Sequence, residues 1–317
     1  MRAGASAGRL WEIKKELIKR ELGERVLLDE LMSKHTSFRI GGLAELYIVA
    51  RDTEELCRWM GIIRQHEAPY FLLGNGTNIL VSDEGIRGLV IKNECQEMRL
   101  GEDDGTIVYA EAGASLARLA AQASQAGLSG LEWAIGVPGT VGGAIVTNAG
   151  AFGSSIADVL LEVSVLDCDG VVRTLQDDDL GFGYRSSRFL GQKPREVILS
   201  TRLSLNKGEK KLIETCLNRY IERRRATQPS ELSAGSVFRN PIGGAAGWFI
   251  EQAGLKELSV GDAQVSEKHA NFIINRGQAR AQDVLDLIER VREEVQRRFG
   301  VRLELEIELV GDKCQRN

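Results

Sequence analysis

LLGNGTNILVSD, at residues 72–83, is one of two glycine-rich stretches that decide the fold, and GVPGTVGGAIVTNAGAFG, at residues 136–153, is the other. Both lie in residues 71–153, which hold 15 of the 35 glycines of the chain, well above a proportional share. Glycines allow backbone N–H groups to converge, and a concave array of such donors suits a phosphate or pyrophosphate. Either stretch alone is equally well explained by tight turns. Together they favour a dinucleotide ligand.

Neither stretch matches the common nucleotide-binding motifs. Gly74, Gly76 and Asn78 lack the third glycine of a GxGxxG fingerprint, and no GK[ST] follows either loop, so we predict a non-Rossmann binding mode. The side chains of Asn75, Thr77 and Asn78 suit phosphate or ribose oxygens, although the asparagines could equally serve turn geometry.

The composition excludes several classes of protein. The 317 residues, 43% hydrophobic and 27% charged, are enough for two globular domains, and a net charge of -4 disfavours nucleic acid as a partner. No apolar run reaches the roughly 18 residues of a membrane span. The charged N-terminus resembles no secretory signal, so we expect a cytoplasmic protein. Five cysteines without a CxxC pair and only three histidines predict no disulfide framework and no metal site.

The hydrophobic pattern alternates between strands and helices. Helical periodicity is present in residues 10–22, after Asp52 and after Leu116, and a hairpin is predicted to turn at Asp169-Gly170. From residue 206 onward two long helical patterns surround a loop-rich centre that contains the strand FIIN. This mixture predicts an α+β fold with a domain boundary near residue 206.

Seven blocks of the chain, in order, resemble the UDP-N-acetylenolpyruvoylglucosamine reductase (UDP-N-acetylmuramate dehydrogenase) family. The two glycine-rich stretches are similar to its FAD-binding loops. The other five are HTSFRIGG (35–42), FGYRSSRF (182–189), RRRATQPSELSAGSVFRNP (223–241), VSEKHANFIIN (265–275) and LELEIELVG (303–311). Only 47 residues separate Arg185 from Ser233, which resembles the shorter type of the family, without its tyrosine-bearing loop insertion.

The resemblance implies a p-cresol-methylhydroxylase-type FAD-binding domain made of two α+β subdomains, followed by an α+β substrate-binding domain. We accordingly expect an N-terminal helical extension (1–30), the FAD-binding domain (31–205, divided into about 31–95 and 96–205), the substrate-binding domain (206–300) and a C-terminal strand (301–317) that carries Glu306. It also implies these FAD-binding residues: Arg39, Gly74, Asn75, Gly76, Thr77, Asn78, Gly136, Val137, Pro138, Gly139, Gly142, Gly143 and Asn148. No histidine lies between residues 71 and 153, so we expect noncovalent FAD.

The reaction implied is the reduction of UDP-N-acetylglucosamine enolpyruvate to UDP-N-acetylmuramate, with NADPH as the hydride donor. Hydride addition pushes negative charge toward the substrate carboxylate, which a cation can stabilise. The family match assigns this role to Arg185, protonation of C2 to Ser236, and support of the enol or of the proton path to Glu306. Without that match, Arg185 reads as a surface arginine, Ser236 as a turn residue and Glu306 as one of three glutamates on a solvated strand face.

The substrate-side candidates are Tyr184, Arg225, Asn240 and His269, since a UDP-sugar needs cationic and amide partners. For His269 a structural hydrogen bond is at least as good an explanation, and Arg223 and Arg224 fit a solvated helix face. We expect a monomer without nucleic-acid or membrane partners. Two alternatives remain, another FAD-dependent alcohol or sugar oxidoreductase and a nucleotide-binding protein without turnover. The first would need a base rather than a proton donor such as Ser236.

Overall fold

The first part of the chain forms a four-stranded sheet covered by two helices. The computed structural model describes residues 2–191 and 196–311, and the elements of this part are α1 (Arg2–Leu22), β1 (Leu27–Leu31), β2 (Leu43–Ala50), α2 (Thr53–His66), β3 (Tyr70–Leu73), β4 (Ile79–Val81) and β5 (Ile86–Asn93). The sheet order is β1-β2-β5-β3, with β2, β3 and β5 parallel. Helix α2 begins as predicted after Asp52, whose side chain accepts from Glu55 N at 2.8 Å.

The predicted N-terminal extension is part of this unit. Trp11, Ile18 and Leu22 of α1 are buried in one apolar cluster with Trp59 of α2, and Trp11 Nε1 donates to Glu45 Oε2 at 2.9 Å. Strand β1 also begins before residue 31 and pairs with β2. The structure therefore differs from the boundary expected at residue 30.

A five-stranded antiparallel sheet dominates the middle of the chain. The elements are β6 (Met98–Glu102), β7 (Ile107–Glu111), α3 (Leu116–Gln125), β8 (Leu128–Ser129), α4 (Val141–Thr147), β9 (Gly150–Ala151), β10 (Ser154–Ser155), β11 (Leu160–Leu166), β12 (Val172–Gln176), β13 (Val197–Ser204), β14 (Asn206–Lys207) and α5 (Lys210–Thr227). The sheet order is β12-β11-β13-β7-β6. Helix α3 buries Leu116, Leu119, Ala120 and Ala123 against it, and the hairpin β11-β12 turns at Asp169-Gly170, both as predicted.

Helix α5 packs against this middle unit. It contacts α3, β8 and the 3₁₀ turn Glu132–Ala134, and Tyr220 packs against the same core as β7 and β13. The sequence predicts a domain boundary near 206 and would assign α5 to the third unit. The contacts of α5 join it to the second, because its apolar positions find their core there.

The last part of the chain forms a second four-stranded sheet backed by a long helix. Its elements are β15 (Ser233–Ser236), α6 (Ala246–Gln252), β16 (Ser259–Val260), β17 (Ala263–Val265), β18 (Phe272–Asn275), α7 (Ala281–Phe299) and β19 (Glu308–Val310). The sheet order is β15-β18-β17-β16. Helix α7 buries Val284, Leu287, Ile288, Val291 and Val295, and it ends at Gly300 in the left-handed conformation. Asp83, from the first unit, accepts hydrogen bonds from Ala281 N and Gln282 N at the start of α7.

The C-terminal strand is shorter than predicted and belongs to the first unit. Strand β19 runs parallel to β4, with Glu308 opposite Ile79, and Glu306 lies in the extended chain just before it. The expectation for residues 312–317 falls outside the described residues.

The sequence predicts no membrane span, no metal site and no disulfide framework for this chain. Within residues 2–191 and 196–311, no helix is long and apolar enough to cross a membrane, and no cluster of three His, Cys, Asp or Glu side chains could hold a metal ion. Cys57, Cys95, Cys168 and Cys216 are free thiols, and Cys314 lies outside the described residues.

Candidate active site

The two glycine-rich loops meet where β3 and α4 approach each other. Asn75 Nδ2 donates to Pro138 O at 2.9 Å, and a Cβ on Gly74 would lie 2.8 Å from Thr140 Oγ1. Gly76 has φ +62°, and a Cβ there would lie 2.2 Å from His35 O, so only glycine fits. The HTSFRIGG block supports this loop, since Ser37 N donates to Gly76 O at 3.0 Å and Ser37 Oγ donates to Ser233 O at 2.7 Å.

Backbone donors are available at this junction. Among the described residues, the N–H groups of Asn75, Gly76, Thr77 and Asn78 donate to no partner. Consecutive unpaired N–H groups in a loop without bulky side chains form an anion-binding concavity. The loops therefore fit the pyrophosphate of a dinucleotide such as FAD.

The second loop contains a short helix that the glycine content did not predict. Thr140 caps α4 by accepting from Gly143 N at 3.2 Å. Gly142 N donates to Ala112 O at 2.8 Å, and a Cβ on Gly142 would lie 2.8 Å from Ala112 Cβ. Gly142 is thus a packing residue, whereas Gly143 is exposed. Gly139 lies across the junction from the first loop, because its Cβ position is 3.7 Å from Thr77 Oγ1.

The other predicted cofactor residues differ in what their side chains do. Arg39 is exposed, and its Nη1 donates to Lys34 O at 2.9 Å. Asn148 uses both ends of its amide within the protein, since Nδ2 donates one hydrogen bond to Gly183 O at 2.9 Å and Oδ1 accepts from Ala157 N. Gly136 has φ +75° and lies against Arg224, and Val137 packs on the core of the second unit.

The predicted catalytic residues Arg185 and Glu306 form an ion pair. Arg185 Nε donates to Glu306 Oε1 at 2.7 Å, and both side chains are largely buried. Burial raises the pKa of the Glu306 carboxyl, while the charges of Arg185 and Arg239 and the Arg185 hydrogen bond oppose that shift. Arg185 has φ +51°, an uncommon conformation for a non-glycine residue, in a turn where Gly183 and Ser186 bridge.

The backbone next to Ser236 is hydrogen-bonded to the segment that carries Glu306. Glu306 N donates to Val237 O at 2.8 Å, and Asn78 Nδ2 donates to Glu306 O at 3.2 Å. The segment that carries Glu306 therefore lies between the first glycine loop and the strand that ends at Ser236. The Ser236 hydroxyl is half-buried and has no hydrogen-bond partner in residues 2–191 and 196–311, so it is available to a ligand.

A cavity of about 440 Å³ opens at Arg185. Its lining includes Tyr184, Arg185 and Asn240, together with Asn148 and the turn at Phe152. Tyr184 is 58% exposed, its ring lies 5.6 Å from the Arg185 guanidinium carbon, and its hydroxyl accepts from Asn240 N at 3.4 Å. Asn240 Oδ1 accepts from Ala246 N at 3.0 Å, which leaves the Asn240 amide nitrogen for a ligand.

Two of the predicted substrate residues are not brought to this cavity. His269 Nδ1 accepts from Asn271 N at 3.2 Å, and its ring packs edge-on against Phe272 at 4.8 Å. Burial lowers the pKa of the His269 imidazole. This surrounding fits the structural role weighed above for His269. Arg225 is exposed on α5, and its carbonyl accepts from Lys268 Nζ.

Three basic residues near the site were missed or misread from the sequence. Burial raises the pKa of Glu306, and the positive charge of Arg239 opposes that rise. The place of Arg239 in SVFRNP, three residues after Ser236, could have predicted that it lies near the site. Lys92 Nζ donates to Gly74 O at 2.6 Å and supports the first loop. The prediction of a solvated face is wrong for Arg224, which is half-buried, donates to Trp133 O at 3.0 Å and has a lowered pKa because of burial.

Comparison with known proteins gives one consistent result. A family model described as UDP-N-acetylenolpyruvoylglucosamine reductase, C-terminal domain, matches residues 228–310, and one described as FAD binding domain matches residues 44–176. The chain is 46% identical over 288 residues to UDP-N-acetylenolpyruvoylglucosamine reductase 2 of Symbiobacterium thermophilum, covering 90% of this chain and 92% of that protein. It is 45% identical over 290 residues to the reductase of Caldanaerobacter subterraneus subsp. tengcongensis, covering 91% and 95%.

A solved structure agrees with these sequences. The crystal structure of UDP-N-acetylenolpyruvylglucosamine reductase from Thermus caldophilus superposes with a TM-score of 0.76 at 39% identity, over 90% of this chain and 98% of that one. The predicted α+β fold class, an FAD-binding domain followed by a substrate-binding domain, is thereby confirmed.

Proposed function

This chain belongs to the UDP-N-acetylenolpyruvoylglucosamine reductase family, and from that premise we propose that it reduces UDP-N-acetylglucosamine enolpyruvate to UDP-N-acetylmuramate with NADPH as hydride donor. It is an FAD-dependent oxidoreductase of peptidoglycan precursor synthesis. When bound, FAD would supply the hydride-transfer chemistry between NADPH and the substrate. The loops at residues 74–78 and 136–143 would hold it, with the N–H groups of Asn75 to Asn78 directed at its pyrophosphate.

One observation supports this function most strongly. Glu306 pairs with Arg185, and the chain segment that carries Glu306 is hydrogen-bonded both to Val237, the residue after Ser236, and to the cofactor loop through Asn78. A cation, a proton donor and a carboxyl group are the set that reduction of an α,β-unsaturated carboxylate requires.

Arg185 binds the substrate carboxylate in this proposal. Its Nε is held by Glu306, and its two Nη groups donate to no residue in the described part of the chain, so they can form a fork with a carboxylate. Negative charge develops on the carboxylate as the hydride arrives. Arg185 therefore stabilises the transition state more than it stabilises the bound substrate.

Ser236 delivers the proton to C2 of the substrate. A serine hydroxyl is a weak acid, so it acts only on a strongly basic enol or carbanion and only where its alkoxide is stabilised. Arg185 and Arg239, whose charges act on Glu306 in the adjoining segment, are the cations that would supply that stabilisation. Tyr184 and Asn240 contact the rest of the substrate from the same cavity.

The test is product analysis under anaerobic conditions. Holoenzyme is mixed with NADPH and with the enolpyruvyl UDP-sugar, and the product is measured by mass spectrometry. We expect the lactyl ether, which carries two more hydrogens than the enolpyruvyl ether, with one NADPH oxidised for each product formed. An alcohol or sugar that oxidises with flavin reduction, without conversion of the enolpyruvyl ether, would contradict the assignment and favour the alternative oxidoreductase.

A further inference from the structure

A second cavity, of about 560 Å³, lies next to the cavity at Arg185. It is lined by Phe152, Arg219, Tyr220 and Arg223. Phe152 also lines the cavity that contains Tyr184 and Arg185, so the two cavities meet at this side chain. A ligand whose reacting end lies at Arg185 can therefore extend past Phe152 toward α5.

The turn that carries Phe152 is held in an uncommon backbone conformation. Phe152 and Gly153 form the two-residue turn between β9 and β10, with φ +56° and φ +89°. Positive φ costs a bulky residue roughly 1 kcal/mol or more, so surrounding contacts must hold it there. The Phe152 ring stacks on Tyr220 of α5, with centroids 4.1 Å apart and planes 3° from parallel. The stack fixes the hairpin tip against the helix.

This aromatic pair is surrounded by guanidinium groups. Arg219 lies 5.3 Å from the Tyr220 ring, and Arg223 and Arg224 lie 5.4 Å and 5.1 Å from the Phe152 ring. Arg224 donates to Trp133 O and fixes α5 to the 3₁₀ turn Glu132–Ala134, just before the second glycine-rich stretch. Across the described ranges, neither Arg219 nor Arg223 forms an ion pair with a carboxylate. Two uncompensated cations thus line a pocket in a chain of net charge -4.

We propose that this pocket binds the diphosphate of the nucleotide whose reacting end lies at Arg185. Arg219 Nη2 makes a weak hydrogen bond, to Cys216 Sγ at 3.8 Å. The two guanidinium groups, held against aromatic rings, therefore keep most of their N–H groups for phosphate oxygens, which they bind in fork geometry at a low entropic cost. The inference rests on the proposed function, because that function places the reacting end of the ligand at Arg185. Arg219 and Arg223 are then binding residues, remote from the reacting atoms.

A diphosphate reaches this site from two sources, the UDP-sugar and NADPH. Both react at the same flavin, so the shared chemistry is a nucleoside diphosphate. Binding experiments separate the two because oxidised holoenzyme can be titrated with UDP and with NADP⁺ independently.

The test compares an Arg219→Gln/Arg223→Gln double variant with wild type and with Arg290→Gln, an exposed arginine on α7. Binding of UDP and of NADP⁺ is measured by isothermal titration calorimetry on FAD-loaded protein. We expect the double variant to weaken at least one ligand about 10-fold or more, equivalent to about 1.4 kcal/mol. The Arg290 variant should bind as wild type does, and Arg223→Lys should recover part of the loss.

Each outcome has one meaning. Weakened UDP binding identifies the substrate as the occupant, weakened NADP⁺ binding identifies the hydride donor, and loss of both identifies a shared subsite. Unchanged affinities for both ligands in the double variant, or wild type that binds neither, would overturn the proposal. Because no turnover is measured, a protein that binds UDP here but does not reduce the enolpyruvyl ether contradicts only the proposed function.

Discussion

Arg185 Nε and Glu306 Oε1 lie 2.7 Å apart, which joins a turn of the second unit to the C-terminal segment across 121 residues of sequence. The Glu306 segment in turn contacts Asn78 and Val237, so one ion pair connects the cofactor loop, the proposed proton donor and the proposed carboxylate-binding arginine. Arg185 uses its Nε for this ion pair, which leaves its two Nη groups for the substrate carboxylate.

Arg185→Lys tests that dependence. A lysine keeps the charge but offers one ammonium group, so it cannot pair with Glu306 and also form a fork with a carboxylate. We expect the rate of flavin reoxidation by the enolpyruvyl UDP-sugar to fall about 100-fold, whereas flavin reduction by NADPH is retained. Stopped-flow absorbance measures both half-reactions. Arg290→Lys is the control, and equal reoxidation rates in Arg185→Lys and wild type would remove Arg185 from the mechanism.

Gly76→Ala tests the cofactor loop. The added Cβ would lie 2.2 Å from His35 O, at a positive φ, so the HTSFRIGG block must move. We expect a loss of about 3 kcal/mol in the free energy of unfolding and reduced FAD content. Gly300→Ala is matched, because Gly300 also has a positive φ (+68°) but no atom within 4 Å of its Cβ position. It should cost about 1 kcal/mol and leave FAD content unchanged. Equal effects of the two changes would contradict the close contact.

Asp83→Ala tests the connection between the first unit and α7. The Asp83 carboxylate accepts from two free N–H groups at the N-terminus of α7, where a negative charge also interacts favourably with the helix dipole. We expect a loss of about 1–2 kcal/mol in urea unfolding. Asp178→Ala, at an exposed position, should have little effect. If Asp83→Ala lowered the free energy of unfolding by no more than Asp178→Ala does, a capping role of Asp83 would be excluded.

His269 predicts a pH dependence of stability. Burial lowers its pKa below the ordinary value of 6.5, so below that pH the unfolded chain binds a proton that the folded chain resists. This stability is therefore present above about pH 6.5 and is lost as pH falls. His269→Asn can retain an acceptor for Asn271 N and removes the titration. Between about pH 7.5 and about pH 5.5, wild type should lose up to about 1 kcal/mol more than the variant. Parallel curves would contradict the buried neutral imidazole.

Local signals predicted the elements that local chemistry forms. Helix α2 begins after Asp52 and α3 begins at Leu116, where the apolar faces predicted helices, and in the structure Asp52 and Ser115 cap them. Helix α4 was missed because Gly142 and Gly143 disfavour helix, and its formation depends on the close packing of Gly142 on Ala112.

The remaining differences arise from contacts that are distant in sequence. Glu304, Glu306 and Glu308 alternate like a solvated strand face, yet the Glu306 side chain is largely buried, because the neighbours of its segment are Val237 and Asn78, the latter 228 residues earlier. The sequence predicts Arg224 on a solvated helix face, but α5 packs beside Trp133 and Gly136, and Arg224 is half-buried there. Sequence periodicity contains no information about either contact.

An anaerobic stopped-flow comparison of Ser236→Ala with wild type tests the role of the Ser236 hydroxyl. Ser236 is proposed to deliver the proton in the step that follows hydride transfer to the enolpyruvyl group. We expect NADPH to bleach the flavin of the variant at the wild-type rate and recovery with the enolpyruvyl UDP-sugar to slow by at least about 100-fold. Recovery at the wild-type rate in Ser236→Ala would exclude this role for Ser236.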